Sequence, residues 1–80
     1  SGGLRSMESL IKWLEKDIEQ DYEMFKKSPE IWGFHFQDCK VPDRKSENFI
    51  DMCTARLVLR FGFAQGMRLA FMIKEYIENE

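Results

Sequence analysis

The chain has 80 residues, of which 44% are hydrophobic and 14% aromatic, and its formal net charge is −2. This apolar content excludes an intrinsically disordered chain, and so small a charge gives no electrostatic reason to expect binding to nucleic acid or an anionic membrane. A domain of this size buries only about 60% of the surface of its unfolded chain, so its core would gain from self-association.

The ends and the cysteines suggest the domain organisation and the compartment. Residues 1–6 read S-G-G-L-R-S and are interpreted as the remnant of an expression tag, which leaves residues 7–80 as one helical domain. Cys39 and Cys53 are too few for a disulfide framework and are predicted to be free thiols. Charged residues interrupt the C-terminal apolar region well before the roughly 20 residues that a membrane span needs. We therefore predict a soluble cytoplasmic protein.

The first predicted element is an amphipathic helix from Met7 to Lys27, with Ser6 as its N-cap. Its apolar residues recur every three or four positions, at 7, 10, 11, 14, 18, 22 and 25, and form one stripe. Trp13 and Met24 lie beside this stripe and are predicted to form an exposed apolar shoulder. The opposite face is predicted to be a solvated charged surface that carries Glu15, Lys16, Asp17, Glu19, Asp21 and Glu23.

An aromatic connector is predicted between residues 28 and 45. Ser28 and Pro29 favour a short helix that ends near Trp32, after which the spacing is irregular. The aromatic residues Trp32, Phe34 and Phe36 alternate with others, as in a strand, but no second strand pattern is visible. We therefore expect an irregular connector whose aromatic side chains can contact a partner.

The third predicted element is a long helix that begins at about Asp43 or Ser46 and ends at Ile77. Apolar residues recur at seven-residue spacing on two of its sides, one side starting at Ile50 and the other at Met52. One helix with two apolar faces needs two partners, and the first helix offers only one stripe. The predicted fold is therefore an all-α helical hairpin or bundle that is completed by homodimerisation. The alternative is a kink near Gly62 or Gly66 that closes a monomeric three-helix bundle.

A strip of small residues, Gly62, Gly66 and Ala70, follows one face of this predicted helix at four-residue spacing. Small side chains let a second helix approach closely, which would offset the cost of roughly 1 kcal/mol for each interior glycine. The candidate residues for this helix packing or dimer interface are Gly62, Gly66, Ala70, Leu59, Ile73 and Phe63. The alternative is a simple break between two shorter helices.

The segment from Gly62 to Leu69 reads G-F-A-Q-G-M-R-L. This G-F-x-x-G-x-R-L pattern resembles the C-terminal helix of a group of small uncharacterised helical proteins from Gram-positive bacteria and their mobile elements. The resemblance covers only these eight residues and implies a bacterial or phage origin and a helical fold. It implies no activity.

Arg68 is predicted to lie on an otherwise apolar helix face, where a buried guanidinium needs a carboxylate partner. The expected partners are Asp17 or Asp21 of the first helix, or Glu75 of a second subunit. This pairing would make Arg68 a structural residue or a specificity residue of an interface.

The function predicted from these features is a protein–protein interaction module that binds and modulates a larger partner protein, without catalysis or a cofactor. The candidate partner-binding residues are Trp13, Trp32, Phe34, Phe36, Asp17, Asp21 and Arg68. One alternative is a phage-type inhibitor that imitates nucleic acid with its acidic helix. The other is a small metal-dependent or thiol enzyme at His35 and Cys39, although this spacing is poor for a zinc site, and Cys53 would be a third ligand.

Overall fold

The computed structural model describes residues 2–32, 36 and 40–80, and it describes the side chains of 6–30, 36 and 40–80. These residues form four helices in chain order: α1 (Gly2–Lys27), α2 (Pro29–Trp32), α3 (Glu47–Phe61) and α4 (Phe63–Glu78). The described residues contain no β-strand, which confirms the predicted all-α bundle. Within these same ranges, no helix is long and apolar enough to cross a lipid bilayer.

The first helix begins earlier than its sequence pattern indicated. α1 starts at Gly2, so the prediction that Ser6 caps it is wrong, and the helix runs through residues assigned to a tag. Leu4 and Arg5 are good helix formers and no proline precedes Met7, so nothing in the sequence stops the helix at Ser6. Its end at Lys27 and the short α2 agree with prediction.

The predicted long C-terminal helix is wrong, because Gly62 divides it into α3 and α4. Gly62 has φ of 87° and ψ of 165°, a backbone conformation that is essentially restricted to glycine. Its N–H donates to the carbonyl of Val58 at 2.8 Å, which satisfies an acceptor in the last turn of α3. The chain is therefore a closed bundle of its own helices, as in the alternative with a kink.

The two C-terminal helices form an antiparallel hairpin with very close backbone contact. A Cβ atom added at Gly66 would lie only 2.4 Å from the Cα atom of Val58, so no larger residue fits without a shift of the backbone. At the open end of the hairpin, Arg44, just before α3, pairs with Glu80, just after α4. Gly66, Ala70 and Ile73, which belong to the second apolar face of the predicted long helix, are thus covered by the same chain, whereas Leu59 and Phe63 of that face are exposed.

The core lies between α1 and this hairpin. Its fully buried side chains come from all three long helices and include Ile11, Leu14, Ile18, Phe49, Cys53, Leu57 and Ile73. Phe36 of the connector closes one end of the core, where its ring centroid lies 5.4 Å from that of Tyr22 and 5.5 Å from that of Phe25. The prediction that Phe36 is exposed to a partner is therefore wrong. Aromatic burial holds the connector against α1.

Candidate interaction surfaces

Arg44 joins three parts of the chain through carboxylates. Its guanidinium lies 3.0 Å from a carboxylate oxygen of Glu8, 3.0 Å from one of Glu15 and 2.6 Å from one of Glu80. The hydroxyl of Tyr76 donates to Glu8 at 2.7 Å. Hydrogen bonds from Arg44, and then from Tyr76, hold the pKa of Glu8 below its ordinary value. We call this group the Arg44 cluster, and its charges are satisfied internally.

A second arginine, Arg56 of α3, binds two carboxylates of α1. Its guanidinium donates to Asp17 at 3.1 Å and also pairs with Asp21. The prediction gave this role to Arg68, which is instead exposed on α4. The error has a geometric cause, because the break at Gly62 turns α4 relative to α3 and removes Arg68 from the face that a continuous helix would have given it.

The predicted acidic surface of α1 is consequently not a purely solvated one. Glu15, Asp17 and Asp21 are half-buried and bind arginines of the same chain. Glu19 and Glu23 remain exposed, and Glu23 pairs with Lys26. Over part of its length, the acidic side of α1 therefore contacts α3 and the connector and does not face only solvent.

A surface groove of about 500 Å³ lies between α1 and α3, and we call it the Trp13 groove. Its lining residues are Trp13, Asp17, Asp21, Ala55, Arg56, Leu59 and Arg60. The Trp13 side chain is 37% exposed, and the guanidinium of Arg60 lies 4.8 Å from the Trp13 ring centroid. Leu59 is 89% exposed, the most exposed large hydrophobic residue among those the structure describes. The lining of the groove thus combines apolar and charged side chains.

The Trp13 groove brings together four residues that the sequence singled out for different reasons. Trp13, Asp17 and Asp21 were candidates for partner binding, and Leu59 was a candidate for an interface. Sequence reasoning did not assign Arg56 or Arg60 to this surface. The signal for Arg56 is its spacing of three and four residues from the buried Cys53 and Met52, which places it on the same side of α3.

A second exposed apolar surface follows α4. Phe63, Met67 and Phe71 are spaced by four residues and are 74%, 42% and 62% exposed. This spacing places them along one side of the helix, next to the buried side that carries Ala70 and Ile73. We call these three residues the α4 strip. Phe63 was predicted to lie in an interface, whereas the exposure of Met67 and Phe71 was not anticipated.

The other residues predicted for an interface lie within the chain itself. Gly66, Ala70 and Ile73 are buried between α4 and the rest of the bundle, so they are not available to a second subunit. Gly62 is exposed at the break between α3 and α4. The side chain of Trp32 and the whole of Phe34 lie outside the described residues.

The residues of the predicted thiol or metal site are largely beyond the described ranges. His35 and Cys39 lie outside them. Cys53 is buried in the core, and this burial raises the pKa of its thiol to about 12. A thiol in this setting is protonated and inaccessible at neutral pH, so Cys53 is a packing residue.

Comparison of the chain with protein-family models, with characterised proteins and with solved structures finds no match.

Proposed function

We propose that this protein is a protein–protein interaction module that binds and modulates a larger partner protein at the Trp13 groove. The observation that supports this proposal is the exposure of Leu59 beside Trp13. A leucine that is 89% exposed gives almost nothing to the core of its own chain, while it provides apolar area that a partner can cover.

The composition of the groove also suits protein recognition. Interfaces have apolar centres and polar rims, and tryptophan and arginine are enriched among the residues that contribute most to binding. Here Trp13 and Leu59 supply apolar surface, and Arg60 and Asp17 supply charged groups in the same lining. The contact between Arg60 and the Trp13 ring orients the indole before a partner arrives, which lowers the entropy lost on binding. We expect the partner to insert an apolar side chain here.

Imitation of nucleic acid has less support from the geometry. A phosphate mimic needs free carboxylates in a row, whereas Glu15, Asp17 and Asp21 already bind Arg44 and Arg56. The pairing cancels much of the negative field that such an inhibitor would present to a DNA-binding protein.

The test compares three forms of the chain as bait in a lysate of the source cell: the wild type, Leu59→Ser and Met24→Ser. Met24 is the matched control, because it is also an exposed apolar residue but belongs to α1 and lies outside the Trp13 groove. We expect wild type and Met24→Ser to capture the same protein, and Leu59→Ser to bind it at least about tenfold more weakly, the loss typical of a central interface residue.

The captured protein is identified by mass spectrometry, and its affinity for each form is then measured with purified components. Circular dichroism of the three forms checks that the exposed substitutions leave the helices intact. Equal affinity of the captured protein for wild type and Leu59→Ser contradicts the proposed role of the groove. The role is also contradicted if wild type and Met24→Ser have no captured protein in common.

A further inference from the structure

The α4 strip is a separate surface from the Trp13 groove, and the hairpin leaves it uncovered. With about 150–250 Å² for each aromatic side chain, Phe63 and Phe71 together expose roughly 200–350 Å² at their 74% and 62% exposure. Met67 and the neighbouring exposed Ala64 enlarge this area. A patch of this size approaches the largest apolar patch on a typical monomer and is large enough for the centre of a small interface.

The charges beside the strip are arranged in a self-complementary way. Arg68 and Glu75 are both exposed, and both lie within about 60° of Phe71 around the helix axis, since each residue turns the helix by about 100°. They are seven residues apart, a rise of roughly 10 Å, which is too far for a direct pair within one helix. Neither forms an ion pair with another residue that the structure describes.

We propose that the α4 strip binds the α4 strip of a second copy of this chain, with the two helices antiparallel about a two-fold axis near Leu69. In this register Met67 packs against the partner subunit's Phe71, and Phe71 against the partner's Met67. Arg68 then approaches the partner's Glu75 on the same flank, and the two-fold axis repeats the pair. Side chains on a helix lean towards its N-terminus, so in antiparallel helices these two side chains lean towards each other.

The charge pattern favours this occupant over an unrelated protein. The exposed charge is positive at Arg68 and negative at Glu75. A second copy that runs in the opposite direction therefore places each charge near one of opposite sign, as a two-fold interface requires. The antiparallel arrangement also sets the helix dipoles in opposite directions. The Trp13 groove lies on α1 and α3, so a dimer formed through α4 presents two such grooves. The area indicates a weak dimer, with a dissociation constant on the order of micromolar.

Charge reversal tests this arrangement by sedimentation equilibrium across a concentration series from the micromolar to the millimolar range. Arg68→Glu sets two glutamates against each other across the interface, and Glu75→Arg sets two arginines against each other. Each variant alone should therefore dimerise at least tenfold more weakly than wild type. An equimolar mixture of the two variants should restore the attraction, because both charge contacts of the heterodimer join opposite charges. The control is Lys16→Glu, an exposed change on α1 with the same change in net charge as Arg68→Glu.

The heterodimer contains two charge contacts, and their signs decide what the mixture should show. The new glutamate of one variant meets the new arginine of the other, which is an attractive pair. The remaining contact joins the unchanged Arg68 of one chain to the unchanged Glu75 of the other, which is the wild-type pair. Both contacts are attractive, so the mixture should associate with near wild-type affinity.

The outcomes separate this proposal from the function at the groove. A wild type that stays monomeric throughout the series overturns the dimer, as does a mixture of variants that associates no better than either variant alone. Both charge positions are exposed, and unchanged melting temperatures at low concentration exclude misfolding as the cause. A monomeric wild type that still loses its partner on Leu59→Ser overturns the dimer and leaves the proposed function standing.

Discussion

Cys53 is a residue whose chemistry is set by packing. Its side chain lies in the core beside other fully buried residues, and burial raises the pKa of its thiol from the ordinary 9.0 to about 12. Between these two pKa values the thiol ionises in the unfolded chain but stays protonated in the folded protein. A rise in pH over this range therefore favours the unfolded state. The stability that this thiol contributes is therefore complete below about pH 9 and is lost as the pH rises towards 12.

We predict that Cys53 does not react with a disulfide reagent such as Ellman's reagent in the native protein at pH 8. Cys39→Ser removes the other thiol from the assay, so one thiol per chain should appear in denaturant and almost none without it. A domain with roughly 5 kcal/mol of stability exposes a core thiol about one part in several thousand, so the native rate should be lower by on the order of a thousandfold. A native rate within tenfold of the denatured rate would show that Cys53 is accessible.

Gly66 determines how closely α3 and α4 approach, while Gly62 determines where they separate. The two glycines stand four residues apart and looked equivalent in the sequence, but their roles differ in the structure. Gly66 is buried against the backbone of Val58, and Gly62 has open space where a Cβ would lie but a positive φ. At Gly66 the lack of space excludes a larger residue, and at Gly62 the positive φ disfavours any residue other than glycine.

We predict that Gly66→Ala lowers the free energy of unfolding by about 1–3 kcal/mol, the usual cost of overpacking a core. In an exposed helix the same change would instead stabilise the protein by about 1 kcal/mol, because alanine is the better helix former. Thermal melts of wild type, Gly66→Ala and the exposed neighbour variant Gln65→Ala give the comparison. A higher melting temperature for Gly66→Ala would show that the contact with Val58 is not close.

The sequence predicted some helix boundaries well and missed one for a physical reason. Pro29 and the lysines before it mark the end of α1 and the start of α2, since proline suits a first helical position and cations suit a last turn. The break at Gly62 was left as an alternative, because two apolar faces on one segment are expected both for a helix with two partners and for two helices that cover each other. Only the positive φ of Gly62 decides between them.

The whole molecule is joined across its chain by the Arg44 cluster. Arg44 and Glu8 are 36 residues apart in sequence, as are Arg44 and Glu80, while Tyr76 and Glu8 are 68 apart. The cluster therefore ties the connector to both ends of the domain. Because the pKa of Glu8 is lowered in the fold, its contribution to stability is present above the ordinary carboxyl pKa and is lost as the pH falls through the lowered value.

We predict that Arg44→Met lowers the free energy of unfolding by about 1–2 kcal/mol at pH 7, because it removes three partly exposed ion pairs and such pairs contribute about 0–1 kcal/mol each. Glu8 takes up a proton as the pH falls through its lowered pKa, so the difference from wild type should be smaller at pH 2.5 than at pH 7. Melting curves at both pH values, with Lys45→Met as the exposed neighbouring control, measure the effect. The same loss at pH 7 and pH 2.5 would mean that Arg44 acts through packing and not through its charge.

Much less of the candidate surfaces than of the fold was predictable. Trp13 was identified because it lies beside the apolar stripe of α1, and the structure places it in the lining of the Trp13 groove. The partner of Asp17 and Asp21 was missed, because the choice between Arg56 and Arg68 depends on the rotation of α4 after Gly62. Phe36 was assigned to the surface because a connector has no periodicity from which burial can be inferred. The resemblance of the segment from Gly62 to Leu69 to bacterial proteins stays a prediction.

The single-residue connection at Gly62 also affects the order in which the helices of one chain fold together. Closing a loop this short costs little chain entropy, so α3 and α4 can find each other early, through contacts that are near in sequence. The ion pairs and hydrogen bonds of α1 with the hairpin instead join residues 35 to 68 positions apart, and they form only after a long segment has been brought back. We therefore expect the hairpin to be the folding nucleus. We expect α1 to dock last and to detach first when the native state opens.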